Sequence, residues 1–144
     1  MEFEFTRRLG PNLEADFIRE PIVAVDLIGS TGEVEKTHAL IDSGANDCVF
    51  NMRHARSLGI NLHECQIKNT VGIEGKPMSV YFTELEIEIL GLGKMFLPVG
   101  FKENLPIGGL LGQVSFFDQF NVHFKRTENI FEITEAKKVV WNGK

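Results

Sequence analysis

Hydrophobic and polar residues alternate along most of this chain, and clusters of glycine, proline, asparagine and acidic residues break the alternation. The clearest run is "TELEIEIL", where Leu85, Ile87 and Ile89 alternate with Glu84, Glu86 and Glu88. A period of two is what a strand with one buried and one solvated face requires. "IREPIVAVDLIGSTGEVEKTHALI" reads as two strands joined by a turn at "GSTGE". Pro21 is confined there to an edge or a strand start, because it has no N–H to donate to a ladder. "FEF" near the N-terminus is a possible further strand. The segment "CQIKNTVGIEGKPMSVYFTELEIEIL" predicts two strands around a glycine-rich hairpin tip at "VGIEGKP". "KMFLPVGF" is a strand that Pro98 places at an edge, and "NVHFKRTENIFEITEA" is a hairpin turning at "RTEN".

Two stretches depart from the period of two. In "NMRHARSLGI", Met52, Ala55 and Leu58 fall at helical spacing, with Asn51 as N-cap and Gly59 as the terminating glycine. "IGGLLGQVSFFDQF" begins tight, apolar and glycine-rich, then predicts a short helix with Ser115 and Asp118 spaced as a capping box. About seven or more strands and two short helices argue for an all-β, barrel-like domain. At 144 residues, without repeats or linker-like tracts, one domain spanning residues 1–144 is expected, with only the tail "NGK" free.

Composition removes several classes of function. The formal net charge is −5 and the fifteen Lys and Arg are scattered, so no basic patch for nucleic acid is expected. No apolar run approaches the roughly 18 residues of a membrane span, and the acidic opening "MEFEF" is unlike a signal peptide, so a cytoplasmic location without membrane association is expected. Cys48 and Cys65 are too few for a disulfide framework and are expected as reduced thiols. His38, His54, His63 and His123 lack zinc-binding spacing, so no metal is implied. Glu84, Glu86 and Glu88 share one strand face, but a half-solvated strand accounts for them. "GLGK" at 91–94 and "GGLLG" at 108–112 miss the phosphate-loop and dinucleotide patterns, and no cofactor is expected. Ser43 fails the nucleophile-elbow pattern because Ile41 stands where its first glycine belongs.

Asp42 is the remaining candidate. On "DSG" alone it reads as a turn acid accepting backbone N–H bonds. It follows the apolar Ala39, Leu40 and Ile41, however, and precedes Gly44, which permits a tight turn. Further along stands a second apolar block closed by glycine, Leu110-Leu111-Gly112. Together these pieces resemble the retropepsin-like aspartic proteases, single-domain relatives of pepsin. Asp42-Ser43-Gly44-Ala45 matches the family's Asp-Thr/Ser-Gly-Ala loop, the hairpin around Gly72–Gly75 its flap, and "GLLGQVSFFDQFNVHFKRTENIFEI" its closing glycine, helix and strand pair. The resemblance covers about residues 20–134.

The resemblance implies a closed retropepsin-like β-barrel with one or two short helices, and peptide-bond hydrolysis by a water held between two carboxylates. The chain supplies one such loop, since Asp16, Asp26, Asp47 and Asp118 are not followed by Ser/Thr-Gly. A homodimer with two Asp42 residues meeting on a two-fold axis is therefore implied. By the same resemblance, Asp42, Ser43 and Gly44 are catalytic: Ser43 ties the two loops together across the axis and Gly44 leaves room for the substrate backbone. Ala45, Val71, Gly72, Ile73, Gly75 and Ile107 are expected to bind a polypeptide substrate, with hydrophobic residues preferred beside the cleaved bond. Serine at position 43 replaces the commoner threonine and removes a methyl that helps pack the loop. The alternative is a non-catalytic dimerisation or peptide-binding module of the same fold, with Asp42 a turn acid.

Overall fold

The structure, a computed structural model, describes residues 1–8, 18–71 and 75–137, without the side chains of 70 and 71. Among the described residues the strands are β1 (Glu2–Glu4), β2 (Thr6–Arg8), β3 (Ile18–Glu20), β4 (Ile22–Ile28), β5 (Val34–Ile41) and β6 (Val49–Asn51). After the helix α1 (Met52–Ser57) come β7 (Gln66–Val71), β8 (Pro77–Ile89), β9 (Gly93–Lys102), β10 (Gly109–Leu111), β11 (Phe120–Lys125) and β12 (Ile130–Glu135).

Seven strands form one sheet in the order β4-β5-β10-β6-β9-β8-β7, and β4 also pairs with β8, so six of them are hydrogen-bonded in a ring. The length of β8 makes this possible. Its C-terminal part, Glu86–Ile89, pairs with β4, while its N-terminal part, Pro77–Phe82, pairs with β7 in a hairpin that projects from the ring. The alternation read from sequence points inward as expected: Leu85, Ile87 and Ile89 are buried, while Glu84 is exposed and Glu86 and Glu88 are half-buried. Val23, Val25 and Leu27 of β4 and Leu97, Val99 and Phe101 of β9 fill the same interior. Burying each such side chain contributes about 1.5–3 kcal/mol.

The helix forms where its spacing predicts. Asn51 accepts a hydrogen bond from the Arg53 amide (3.1 Å), Met52, Ala55 and Leu58 are buried, and Gly59 ends the helix at φ 67°. Pro98 is exposed on β9, and β6 pairs only with residues 100–102 of that strand. A second sheet, β1-β12-β11, is held by aromatic packing, with the Phe3 and Phe131 rings stacked at 5.4 Å and Phe5 edge-on to Phe131 at 5.2 Å. Its hairpin turns through Asn129 at φ 62°, within the predicted "RTEN".

Two details differ from the sequence pattern. The short antiparallel pair β2–β3, whose six residues include one apolar side chain, Ile18, and which is tied by an Arg8–Glu20 ion pair at 2.7 Å, has no apolar alternation to announce it. The segment Gln113–Phe117 is not a regular helix: Val114 has ψ 126° and Ser115 has φ 84°, ψ −54°. Asp118 does accept a bond from the Ser115 amide (3.2 Å), but the chain bends sharply between them to bury Phe116 against Phe117 and Phe120. Among the described residues no helix is long and apolar enough to cross a membrane.

Candidate active site

The strand β5 carries Asp42 at its C-terminal end, and β6 leads away from the turn that follows. Between these two strands lies β10, parallel to β5 with Leu110 opposite Leu40 and Leu111 opposite Ile41, and antiparallel to β6. The wedge fits because its flanks are glycines. A Cβ on Gly109 would stand 2.3 Å from the Phe50 ring, and one on Gly112 would stand 2.5 Å from the Asp47 carbonyl and 2.6 Å from that of Ala45. The apolar, glycine-bounded block noted in the sequence is thus the strand against which the Asp42 loop is built.

Six hydrogen bonds define the loop. The Asp42 amide donates to the Leu111 carbonyl (3.0 Å), and the Ala45 amide donates to the Asp42 carbonyl (3.2 Å). The amides of Gln113 and Val114 donate to the carbonyls of Ala45 (2.9 Å) and Asn46 (2.7 Å), and Gln113 Nε2 donates to the Ser43 carbonyl (2.7 Å). Asp42 Oδ1 accepts from the Gly44 amide (2.9 Å), while Oδ2 has no hydrogen-bond partner among the described residues. Asp42 is half-buried, and Ser43 and Gly44 are exposed at the tip. Behind the loop, Cys48 is 1% exposed and its thiol lies 3.5 Å from the Val114 carbonyl. Burial pushes that thiol's pKa up, against a smaller lowering by backbone hydrogen bonds from Gly112 and Phe116. The result is a carboxylate fixed in orientation by backbone, with one oxygen open to a proton donor, a water or another acid.

A cleft of about 230 Å³ begins beside the loop at Ala45, Asn46 and Asp47. Val49, Leu105 and Leu110 line it from below, and Lys68, Val80, Phe82 and Lys102 from the β7–β9 side. A neighbouring hollow of about 460 Å³ shares Asp47, Lys68 and Phe82 and reaches Pro98 and the exposed Val114. Of the residues singled out in the sequence, Asp42, Ser43, Gly44 and Ala45 lie together in the loop. Val71 ends β7 opposite Pro77, and Gly75 lies in the β7–β8 connection at φ 74°. Gly72 and Ile73 fall outside the described residues. Ile107 is half-buried ahead of β10 and is not among the residues lining the cleft. Ala45 is the one lining residue that sequence reasoning singled out; Asn46, Asp47 and Val49 beside it were missed, as were Lys68, Val80, Phe82, Lys102, Leu105 and Leu110. Val80 and Phe82 share a face by alternation, but only strand pairing brings the two lysines to that face.

No family model matches the chain, and no curated protein does. Among solved structures, a retropepsin-like aspartic protease from Rickettsia conorii matches with a TM-score of 0.57 over 81% of this chain and 99% of that one, at 17% identity. The retroviral protease-like domain of Ddi1 from Leishmania major matches with a TM-score of 0.54 over 78% of this chain and 87% of that one, at 14% identity. The chain has the retropepsin-like fold. At these identities the likeness concerns the path of the backbone, and the chemistry lies in the side chains this retropepsin-like chain presents. Those are a braced acid at the end of β5, a glycine-bounded wedge beside it, and a cleft that opens directly from its loop.

Proposed function

We propose that the protein is a homodimeric aspartic endopeptidase in which Asp42 of one chain and Asp42 of a second hold the attacking water between them. The observation that carries this reading is the presentation of Asp42: a backbone-fixed carboxylate with a free Oδ2, at an exposed Ser-Gly tip, beside a cleft. The Oδ1 bond is one a turn acid also makes; the glycine-bounded strand β10 packed against the loop and the cleft that starts at Ala45 support the reading beyond it. In the dimer, two ionised carboxylates about 3 Å apart at an effective dielectric of about 20 would repel by about 5 kcal/mol. The pair therefore shares one proton. The ionised member takes a proton from the water as it attacks the peptide carbonyl, and the protonated member donates to the carbonyl oxygen. Collapse of the tetrahedral intermediate then transfers a proton to the departing amine.

The other loop residues have roles consistent with that step. In this reading the Ser43 hydroxyl, exposed and without a hydrogen-bond partner among the described residues, bonds across the axis. Gly44 leaves the Asp42 face open, since a Cβ there would stand 3.2 Å from Oδ1. The β7–β8 hairpin serves as the flap over an extended polypeptide, pairing with its backbone and excluding water. A peptide mimic carrying a tetrahedral hydroxyl in place of the scissile carbonyl tests the reading. It is expected to bind at least about a hundredfold tighter than the matched ordinary peptide. Equal affinities for the two would contradict the protease and favour a peptide-binding module.

A further inference from the structure

We infer that the cleft beside the Asp42 loop selects an acidic side chain of the polypeptide substrate, with Lys102 as the residue that sets the preference and Lys68 as its partner. The inference rests on the reading of this site as a peptidase and adds the substrate class to it. Lys68, Val80 and Lys102 are direct cross-strand neighbours on β7, β8 and β9, so their side chains stand in one row on one face. Val80 is buried at the centre of that row, and Lys68 and Lys102 on either side of it are both among the residues lining the cleft. The Lys68 ammonium sits 5.0 Å over the Phe82 ring and only 3.5 Å from Asp47 Oδ2, a long ion pair with a side chain 62% exposed. Such a pair is weak and exchangeable. Lys102 has no ion-pair or hydrogen-bond partner among the described residues.

The charges lining the cleft are therefore two cations against one anion, in a chain whose overall net charge is −5. This local surplus is opposite in sign to the rest of the molecule. A glutamate entering the cleft lays its methylenes on Val49, Leu105 and Leu110 and brings its carboxylate to Lys102, with Lys68 shared between that carboxylate and Asp47. A neutral side chain of the same shape leaves Lys102 covered and unpaired, and a basic one is repelled.

The test uses unstructured peptide pairs identical except for Glu or Gln, with the variable position moved along both sides of the cleaved bond. At one position the wild-type enzyme is expected to show a kcat/KM about tenfold higher for Glu, equivalent to about 1.4 kcal/mol. That ratio should shrink as salt is raised, fall towards one in Lys102→Gln, and drop below one in Lys102→Glu. Because each ratio is read within one protein, a change in overall activity does not affect it. A wild-type ratio near one at every position, with cleavage still dependent on Asp42, overturns the inference and keeps the peptidase reading. Fluorescence anisotropy of the same labelled peptides on Asp42→Asn reads the cleft without chemistry. Retained Glu preference there, with no cleavage of any peptide by wild type, overturns the peptidase reading and supports the acidic-side-chain cleft.

Discussion

At the scale of single residues, the site depends on positions where nothing larger fits. Gly112 is one: a methyl there meets two carbonyls of the Asp42 loop within 2.6 Å. Gly112→Ala is expected to destabilise the fold by about 1–3 kcal/mol, read as a lower urea midpoint at unchanged slope. It should also lower activity, because the carbonyls it displaces belong to the loop that orients Asp42. The two thiols offer an independent check on the packing behind that loop. Burial raises the pKa of both, but Cys48 is 1% exposed and Cys65 only half-buried, so a thiol reagent at neutral pH should modify Cys65 in the folded protein and Cys48 only on unfolding. Equal rates for the two would show that the core behind the loop is open. Asp42 was singled out as a candidate in the sequence by its place after three apolar residues together with the glycine-closed block Leu110-Leu111-Gly112 and the resemblance these carry, since "DSG" alone reads as a turn. Lys68 and Lys102 were not legible, since each is an ordinary strand lysine until pairing sets them on either side of Val80.

At the scale of elements, strands with strong alternation and turns with glycine were readable, and short strands were not. The run at Leu85, Ile87 and Ile89 identifies β8, and "GSTGE" identifies the β4–β5 turn, because each signal lies within one contiguous segment. The three-residue β10 is too short to show a period, and its meaning comes from β5 and β6, which are remote in sequence. The Gln113–Phe117 segment was misread in detail because the Ser115–Asp118 spacing suits a cap, whereas Ser115 stands at a positive φ next to the buried Phe116. In the β1-β12-β11 sheet, Lys125 Nζ donates to Glu132 at 2.6 Å, and this bond holds the Glu132 carboxyl below its ordinary pKa. The folded value lies below the unfolded one, so the contribution is complete above the ordinary glutamate range and is lost as pH falls through the lower, folded value. Lys125→Gln should therefore lose less stability than wild type between mildly acidic and strongly acidic pH. Urea midpoints that fall in parallel for the two proteins over that range would contradict the assignment.

At the scale of the whole molecule, one chain presents one acid, and the proposed chemistry needs two. The fold class was readable from alternating strands and turns, but a ring closed through β4–β8 and a groove starting at Ala45 exist only once the strands have paired. The most direct measurement is cleavage of an unfolded polypeptide at mildly acidic pH by wild type and by Asp42→Asn, both at concentrations where sedimentation shows folded dimers. The account predicts cleavage by wild type and a loss of at least about a thousandfold in the variant; a variant as active as wild type, or a wild-type dimer that cleaves nothing, would contradict it.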